Sequence, residues 1–314
     1  TFSQTDIGID LVAELKDGSF AAIQCKCYDS NHTISKEDID SFISASSNNI
    51  FVRLILIDTS NNELGSNARK VVNNLNKKYL RIQKSELEAS RIQWLTYLKE
   101  DKIVLEDKKE LRDHQKKALN NAEIYFKDND RGKMIMACGT GKTFTSLRIT
   151  EKLTYKGKFV LYMVPSLALM SQSIREWKND CLEEFEAFSA SSDKKVGKIK
   201  SADDEIIVNL SDLSFPATTD PKKLAEEIKK TDNSKLTVIF STYQSIDVVS
   251  KAQKEFGLRN FDLILCDEAH RTTGATLSGD DESYFVRIHN NEHISGKKRL
   301  YMTATPRIYG EKAK

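Results

Sequence analysis

The sequence predicts an α/β chain in two parts: a small mixed sheet with two helices, then a parallel sheet with helices on both faces. Three observations lead there. Up to about Glu86, short β-rich runs alternate with two helical segments. From Leu111 onward, apolar strands alternate with helical stretches. A length of 314 residues also exceeds what one hydrophobic core ordinarily serves.

In the first part, Ile9 to Leu15 and Phe20 to Cys27 are β-rich runs joined by Lys16-Asp17-Gly18, a hairpin turn. Ser35 to Ser44 reads as a helix, with Ser35 as N-cap and Asp38 three residues later completing an acidic capping pattern. Val52 to Ile57 is a buried strand. Ser66 to Lys77 is an amphipathic helix with Ala68, Val71, Val72 and Leu75 on one side. Residues 86–110 are charged, lack Pro and Gly, and read as a mostly helical coupling segment between a domain at 1–85 and another at 111–314. In that second domain the strands fall at Met134–Met136, Phe159–Val164, Val238–Ser241, Leu263–Cys266 and Arg299–Met302. Residues 189–235 are polar and lysine-rich and read as an insertion, with a helix opening at Asp220-Pro221.

Composition narrows the function classes. Hydrophobic residues at 39% and charged residues at 30% suit globular domains. Forty-eight basic against 46 acidic residues leave a net charge of +2, which excludes a strongly basic nucleic-acid coat but not a local basic track. The five cysteines are odd in number and scattered, without a disulfide framework, and Cys25-x-Cys27 is too tight for the usual zinc pair. No apolar stretch approaches the roughly 20 residues that span a bilayer. A reducing cytoplasm, without a membrane partner, fits. Thr1-Phe2-Ser3 has neither an initiator Met nor a signal sequence, so both ends read as cuts within a longer protein.

The strongest chemical signal is Met136-Ala-Cys-Gly-Thr-Gly-Lys-Thr143, placed after a short strand and opening a helix. Glycine-loop amides at a helix N-terminus form a nest for phosphate oxygens. Gly139, Thr140 and Gly141 build that loop, Lys142 offers a point charge to the β- and γ-phosphates, and the Thr143 hydroxyl can ligate Mg²⁺. Met136 stands where the strict pattern wants glycine, so the loop relies on Gly139 and Gly141. Asp267-Glu-Ala-His270 follows the apolar run Phe261 to Cys266, at a strand end where ligands collect in an open parallel sheet. Asp267 would hold Mg²⁺, and Glu268 would orient and polarise the attacking water.

These motifs, in this order, resemble the superfamily 2 helicases, and the resemblance implies an ATP-dependent motor with a RecA-like fold. Leu111-Arg-Asp-His-Gln115 is similar to the adenine-reading segment, with the Gln115 amide paired to the base. His270 completes the DEAH box. Val164-Pro165-Ser166 and Ser241-Thr242-Tyr243-Gln244 resemble the motifs that hold the nucleic-acid strand. Thr303-Ala-Thr305 resembles the motif that links hydrolysis to DNA. Helicases of this type complete the ATP site from a second RecA-like domain. That domain is absent here, so weak turnover by the isolated fragment is expected.

In the first part, Asp10 lies across a hairpin from Gln24-Cys-Lys26, with Gln24 and Lys26 on one face and Cys25 and Cys27 on the other. One carboxylate, Gln24 and the Cys25 carbonyl suit a hard Mg²⁺, and Lys26 can stabilise charge on a phosphate. Asp6 and Glu14 share the face of Asp10 if the strand runs that far, and surface acids are the plainer reading of both. The set resembles the PD-(D/E)xK nucleases of the Mrr-like branch, in which Gln replaces the acid. A nuclease directly upstream of such a motor resembles the single-polypeptide Type I-like (Type ISP) restriction–modification enzymes. That implies cleavage and translocation of double-stranded DNA in a bacterial cytoplasm, and partner domains for methylation and target recognition in the same polypeptide. Two alternatives stay open: the motor subunit of a Type I or Type III restriction enzyme, and a remodelling or repair translocase with a silent, DNA-holding nuclease-like domain.

Overall fold

The computed structural model describes residues 8–15, 17–154, 157–191, 217–231, 234–270 and 284–305. The chain forms two compact units that divide between Glu106 and Asp107.

The first unit is a four-stranded mixed sheet in the order β1 (Leu11–Glu14), β2 (Phe20–Lys26), β3 (Phe51–Asp58) and β4 (Lys78–Gln83). Strand β1 runs antiparallel to β2, and the later pairs are parallel. The hairpin closes where Gly18 at φ +79 lets its N–H reach the Leu15 carbonyl, and Asp17 accepts from the Ser19 N–H. Lys16 lies outside the described residues. Helix α1 (Lys36–Ala45) starts at Ser35 in the expected capping box with Asp38. With α2 (Ser66–Asn73) it covers one sheet face, burying Ile34, Ile39, Leu56, Leu64, Ala68 and Val72 together. Fully burying such side chains stabilises by about 1.5–3 kcal/mol each.

Two expectations need correction here. Helix α2 ends at Asn73 instead of continuing to Lys77, because the Lys77 ammonium turns to the Ser46, Ser47 and Asn48 carbonyls after α1 and leads directly into β4. Residues 86–110 are not mostly helical. They hold the end of α3 (Lys84–Glu88) and all of α4 (Trp94–Glu100), while Ile92 pairs with Leu105 and Glu106 N–H bonds the Arg91 carbonyl. That bridge takes the backbone out of helical geometry on both sides of α4.

The second unit is an all-parallel sheet in the order β5-β11-β10-β6-β9-β7-β8. Its strands are β5 (Arg131–Ile135), β6 (Phe159–Val164), β7 (Phe185–Ala190), β8 (Ala217–Thr218), β9 (Leu236–Thr242), β10 (Phe261–Cys266) and β11 (Gly296–Thr303). The helices are α5 (Asp113–Tyr125), α6 (Lys142–Thr154), α7 (Leu167–Asp180), α8 (Pro221–Lys229), α9 (Ile246–Phe256) and α10 (Tyr284–Arg287). Every residue of β6 is buried, as a strand covered on both faces requires. Helix α8 opens where expected, with the Asp220 side chain accepting from the N–H groups of Lys222 and Lys223. Residues 192–216 of the lysine-rich insertion lie outside the described residues, and the strands on either side of them, β7 and β8, are two the sequence did not announce. Parallel pairing sends the loops after β5, β6, β9, β10 and β11 to one rim of the sheet, and the motifs sit on those loops.

Candidate functional site

The phosphate loop leaves β5 and crosses the neighbouring β11 toward β10. Its turn needs glycine twice: Gly139 has φ +72 and Gly141 φ +85. Around Gly139 there is open space, whereas a Cβ on Gly141 would stand 2.5 Å from Gln115 Nε2. Helix α6 begins at Lys142, so the loop amides gather at its positive end. Lys142 Nζ lies 3.3 Å from Glu268 Oε1. The loop lysine and the DEAH box therefore meet, although 125 residues and one intervening strand separate them.

Asp267 caps the end of β10. Its N–H bonds the Met163 carbonyl at 2.9 Å, and its carboxylate accepts from the Glu268 N–H at 2.9 Å. Only 6% of it is exposed. Burial pushes its carboxyl up to about 6, with the neighbouring Glu268 charge adding to the effect and the Glu268 N–H opposing it. A buried oxygen donor suits a hard cation, and Thr143, the other residue read as a Mg²⁺ ligand, stands in the first turn of α6. Glu268 sits in the left-handed region at φ +47. His270 Nδ1 is 3.2 Å from Glu268 Oε2 and 3.1 Å from Thr303 Oγ1, so a proton on that nitrogen serves both. Thr303 in turn accepts from the Thr305 N–H at 3.2 Å. Lys142, Glu268, His270 and Thr303 thus form one contiguous polar chain.

The raised Asp267 value carries a stability consequence with a definite sign. A carboxyl with a folded value near 6 against an ordinary 3.8 favours folding while protonated, and that contribution is lost as pH rises through 6. Ionised Asp267 therefore costs the metal-free fold on the order of 3 kcal/mol at neutral pH. Asp267→Asn should raise the Tm of the metal-free chain by several degrees at pH 7.5, with the gain shrinking toward pH 4. Thermal melts across pH would contradict this if the variant melts lower at pH 7.5.

Other sequence-assigned residues sit differently from expectation. Both ends of the Gln115 amide are engaged within the protein: Oε1 accepts from the Arg112 N–H at 2.8 Å, and Nε2 donates to the Thr140 carbonyl at 2.9 Å. Gln115 here closes the phosphate loop. Thr140 turns its hydroxyl back onto the Ala137 carbonyl. Gly141→Ala, which strains φ and displaces Gln115, should destabilise the second unit by about 2 kcal/mol and loosen nucleotide binding. Titration with a fluorescent ATP analogue checks this, and unchanged affinity would contradict it.

Most of the residues assigned to nucleic acid are turned inward. Ser241 and Tyr243 have no exposed surface, and Thr242 has 5%. Strand β9 is an interior strand, so side chains at its end turn inward. Thr242 Oγ1 pairs with Ser245 Oγ at 2.7 Å, and the Tyr243 hydroxyl donates to the Asp267 carbonyl at 2.8 Å. The exposed residue of that motif is Gln244. Pro165 is buried, and Ser166 N-caps α7 by accepting from the Leu169 N–H. Thr303 is nearly buried, and Thr305 is exposed.

In the first unit, Asp10 lies one residue before β1. Its N–H donates to the Ile23 carbonyl at 2.9 Å, and one carboxylate oxygen accepts from the Cys25 N–H at 2.6 Å. The pairing of Leu11 with Ile23 sets Asp10 opposite Gln24. Gln24 is 1% exposed, and its Oε1 is buried without a hydrogen-bond partner. A buried, unpartnered acceptor beside a carboxylate fits an oxygen-seeking cation. Lys26, half-buried, ends β2 on the same face. Asp6 lies outside the described residues, and Glu14 is exposed. Gly8 holds this segment against α1: at φ +79, a Cβ there would stand 2.6 Å from the Ser41 carbonyl carbon.

Sequence reading missed Asp58, which pairs with Lys26 in register. Asp58 is not a spare acid, because Arg81 Nε and Nη2 bind it at 2.6 and 3.0 Å and Ser60 donates to it. Lone acids at strand ends carry no sequence signal, and only β4, also unannounced, brings Arg81 to it. Among the described residues, no group of three or more His, Cys, Asp or Glu gathers to hold a metal.

A family profile described as "Type III restriction enzyme, res subunit" matches residues 108–308. The chain belongs to that family. A second profile, described as "Restriction endonuclease", matches residues 1–104. Along its whole length the chain is similar to the ATP-dependent Type ISP restriction–modification enzyme LlaBIII, solved bound to DNA. The two are 39% identical with a TM-score of 0.80, and the match covers 100% of this chain and 20% of that one. A nuclease-deletion mutant of the Type ISP enzyme LlaGI, in complex with a DNA substrate mimic, is 42% identical with a TM-score of 0.51. That match covers 64% of this chain and 18% of LlaGI. No curated protein matches the chain. The chain spans about a fifth of the length of these Type ISP relatives. The motif order read as Type ISP thus holds across both units. No described helix is long and apolar enough to cross a membrane.

Proposed function

We propose that the first unit is a metal-dependent DNA nuclease and the second is the first RecA-like half of an ATP-driven motor on double-stranded DNA, together part of one restriction enzyme. The observation that carries this reading is the 3.3 Å meeting of Lys142 with Glu268, in a chain whose first 104 residues match a restriction endonuclease. Remaining domains of a longer polypeptide, for the second motor half, methylation and target recognition, would be its partners, in a bacterial cytoplasm.

In the motor, the loop amides and Lys142 bind the triphosphate, and Lys142 gives up Glu268 to do so. Thr143 and Asp267 would hold Mg²⁺, which when bound supplies positive charge to the phosphate oxygens. Glu268, freed from Lys142 and steadied by His270, orients the attacking water. Thr303, through His270, ties that carboxylate to the end of β11. In the nuclease, Asp10, Gln24 Oε1 and the Cys25 carbonyl would hold the divalent ion, and Lys26 stabilises charge on the phosphate.

The scarcity of acids around Asp10 favours one second reading, a nuclease-like unit that grips DNA without cutting it. One experiment separates the two: the full-length polypeptide is incubated with site-bearing plasmid, Mg²⁺ and either ATP or a non-hydrolysable analogue. Cleavage with ATP alone supports the proposal, cleavage with both removes the motor's role, and DNA-stimulated hydrolysis without cleavage under Mg²⁺ or Mn²⁺ supports the gripping reading.

A further inference from the structure

The two residues assigned to magnesium share a feature that packing alone does not require. Each has its backbone carbonyl bonded by a buried aromatic donor. The Trp177 indole N–H donates to the Thr143 carbonyl at 3.1 Å, and the Tyr243 hydroxyl donates to the Asp267 carbonyl at 2.8 Å. Neither aromatic residue has exposed surface. Trp177 lies on α7, whose N-cap is Ser166, and Tyr243 opens the turn after β9, so both descend from rim loops of the sheet. An aromatic cluster stiffens Trp177: the Tyr162 ring lies 5.1 Å from it and 5.4 Å from Phe240, and Trp177 lies 5.6 Å from Phe240, while Tyr243 is held in the apolar core with Leu161, Met163 and Ile239.

Phenylalanine would fill much of the same space, as Phe240 and Phe185 do in that cluster. The indole N–H and phenol O–H add one directed bond each, and both bonds land on the backbone of a proposed metal ligand. Groups that hold ligands by their backbone set side-chain position before the ion arrives and lower the ordering cost of binding.

Resting on the nucleotide site proposed above, we infer that Trp177 and Tyr243 are positioning residues for the magnesium-facing side of that site. Trp177 fixes Thr143 and Tyr243 fixes Asp267. The consequence is selective. Binding of the magnesium–nucleotide complex depends on both donors, and binding of metal-free nucleotide does not.

The test uses the 314-residue chain, a fluorescent ATP analogue, and excess Mg²⁺ or EDTA. Trp177→Phe and Tyr243→Phe should each weaken binding in Mg²⁺ about five- to tenfold and leave binding in EDTA unchanged. Equal weakening in both conditions would mean a merely structural role and would overturn the inference, as would unchanged affinity in Mg²⁺. A second readout does not require either variant to fold. The chain has two tryptophans, so Trp94→Phe leaves Trp177 as the sole indole. Its emission should change on adding ATP with Mg²⁺ and stay constant with ATP in EDTA, and an indifferent indole would overturn the inference. If the unaltered chain binds no nucleotide, the nucleotide site itself falls. If it binds and Lys142→Ala does not, that site stands whatever Trp177 and Tyr243 do.

Discussion

Glu268→Gln is expected to keep magnesium–nucleotide bound while turnover by the full-length polypeptide drops about a thousandfold, within the usual span for losing a catalytic base. Glutamine keeps the size of the side chain but cannot take a proton from water. It also removes the charge that Lys142 faces at 3.3 Å, so the lysine loses its protein partner and nucleotide binding should hold or tighten. Lys142→Ala has the opposite signature. It deletes the cation proposed to meet the β- and γ-phosphates, and binding itself should fall by two orders of magnitude or about 3 kcal/mol. Binding titrations beside phosphate-release assays separate the two. Full turnover by Glu268→Gln would remove Glu268 from the chemistry.

The second large effect concerns the first unit. Asp10→Ala should abolish plasmid nicking, a loss of about a thousandfold or more, by removing the carboxylate among the proposed metal ligands. It also leaves the Cys25 N–H without its 2.6 Å partner. Lys26→Ala should cut nicking comparably while leaving divalent-ion binding in place, since its proposed role is to stabilise charge on the phosphate and not to hold the metal. Calorimetry with Mn²⁺ next to a nicking assay tells them apart. ATP binding should be unaffected in both, because Lys142 and Asp267 belong to the other unit. If both variants nick normally, the nuclease site lies elsewhere.

Elements with strong local signals were legible in the sequence. Ser35 with Asp38, Asp220 with Pro221, and the glycines of the phosphate loop each act over a few residues, and each appears in the structure where it was read. Strands β4 and β7 were not legible. Lys78–Gln83 and Phe185–Ala190 contain charged residues and little β-branching, and it is pairing with neighbours distant in sequence that makes them strands. The fold class survived these omissions because the parallel β6 run is apolar throughout and β9 and β10 are mostly so.

At the candidate site, residue types were legible and orientations were not. The Ser241 to Tyr243 stretch reads as hydroxyl-rich and therefore as phosphate-facing. An interior strand covered on both faces turns those hydroxyls inward, and the Tyr243 hydroxyl reaches Asp267. Gln115 shows the same limit: its amide suits adenine, yet the nearest partners in the fold are Arg112 and Thr140. The unpartnered Gln24 Oε1 had no sequence signal beyond the residue's identity, because burial is set by α1 and its neighbours.

The central measurement is a crystal structure of the chain with Mg²⁺ and a non-hydrolysable ATP analogue. The γ-phosphate should lie between Lys142 Nζ and the Asp267–Glu268 carboxylates, with the 3.3 Å contact of Lys142 and Glu268 opened to admit it. A triphosphate bound elsewhere, with that contact still closed, would contradict the account.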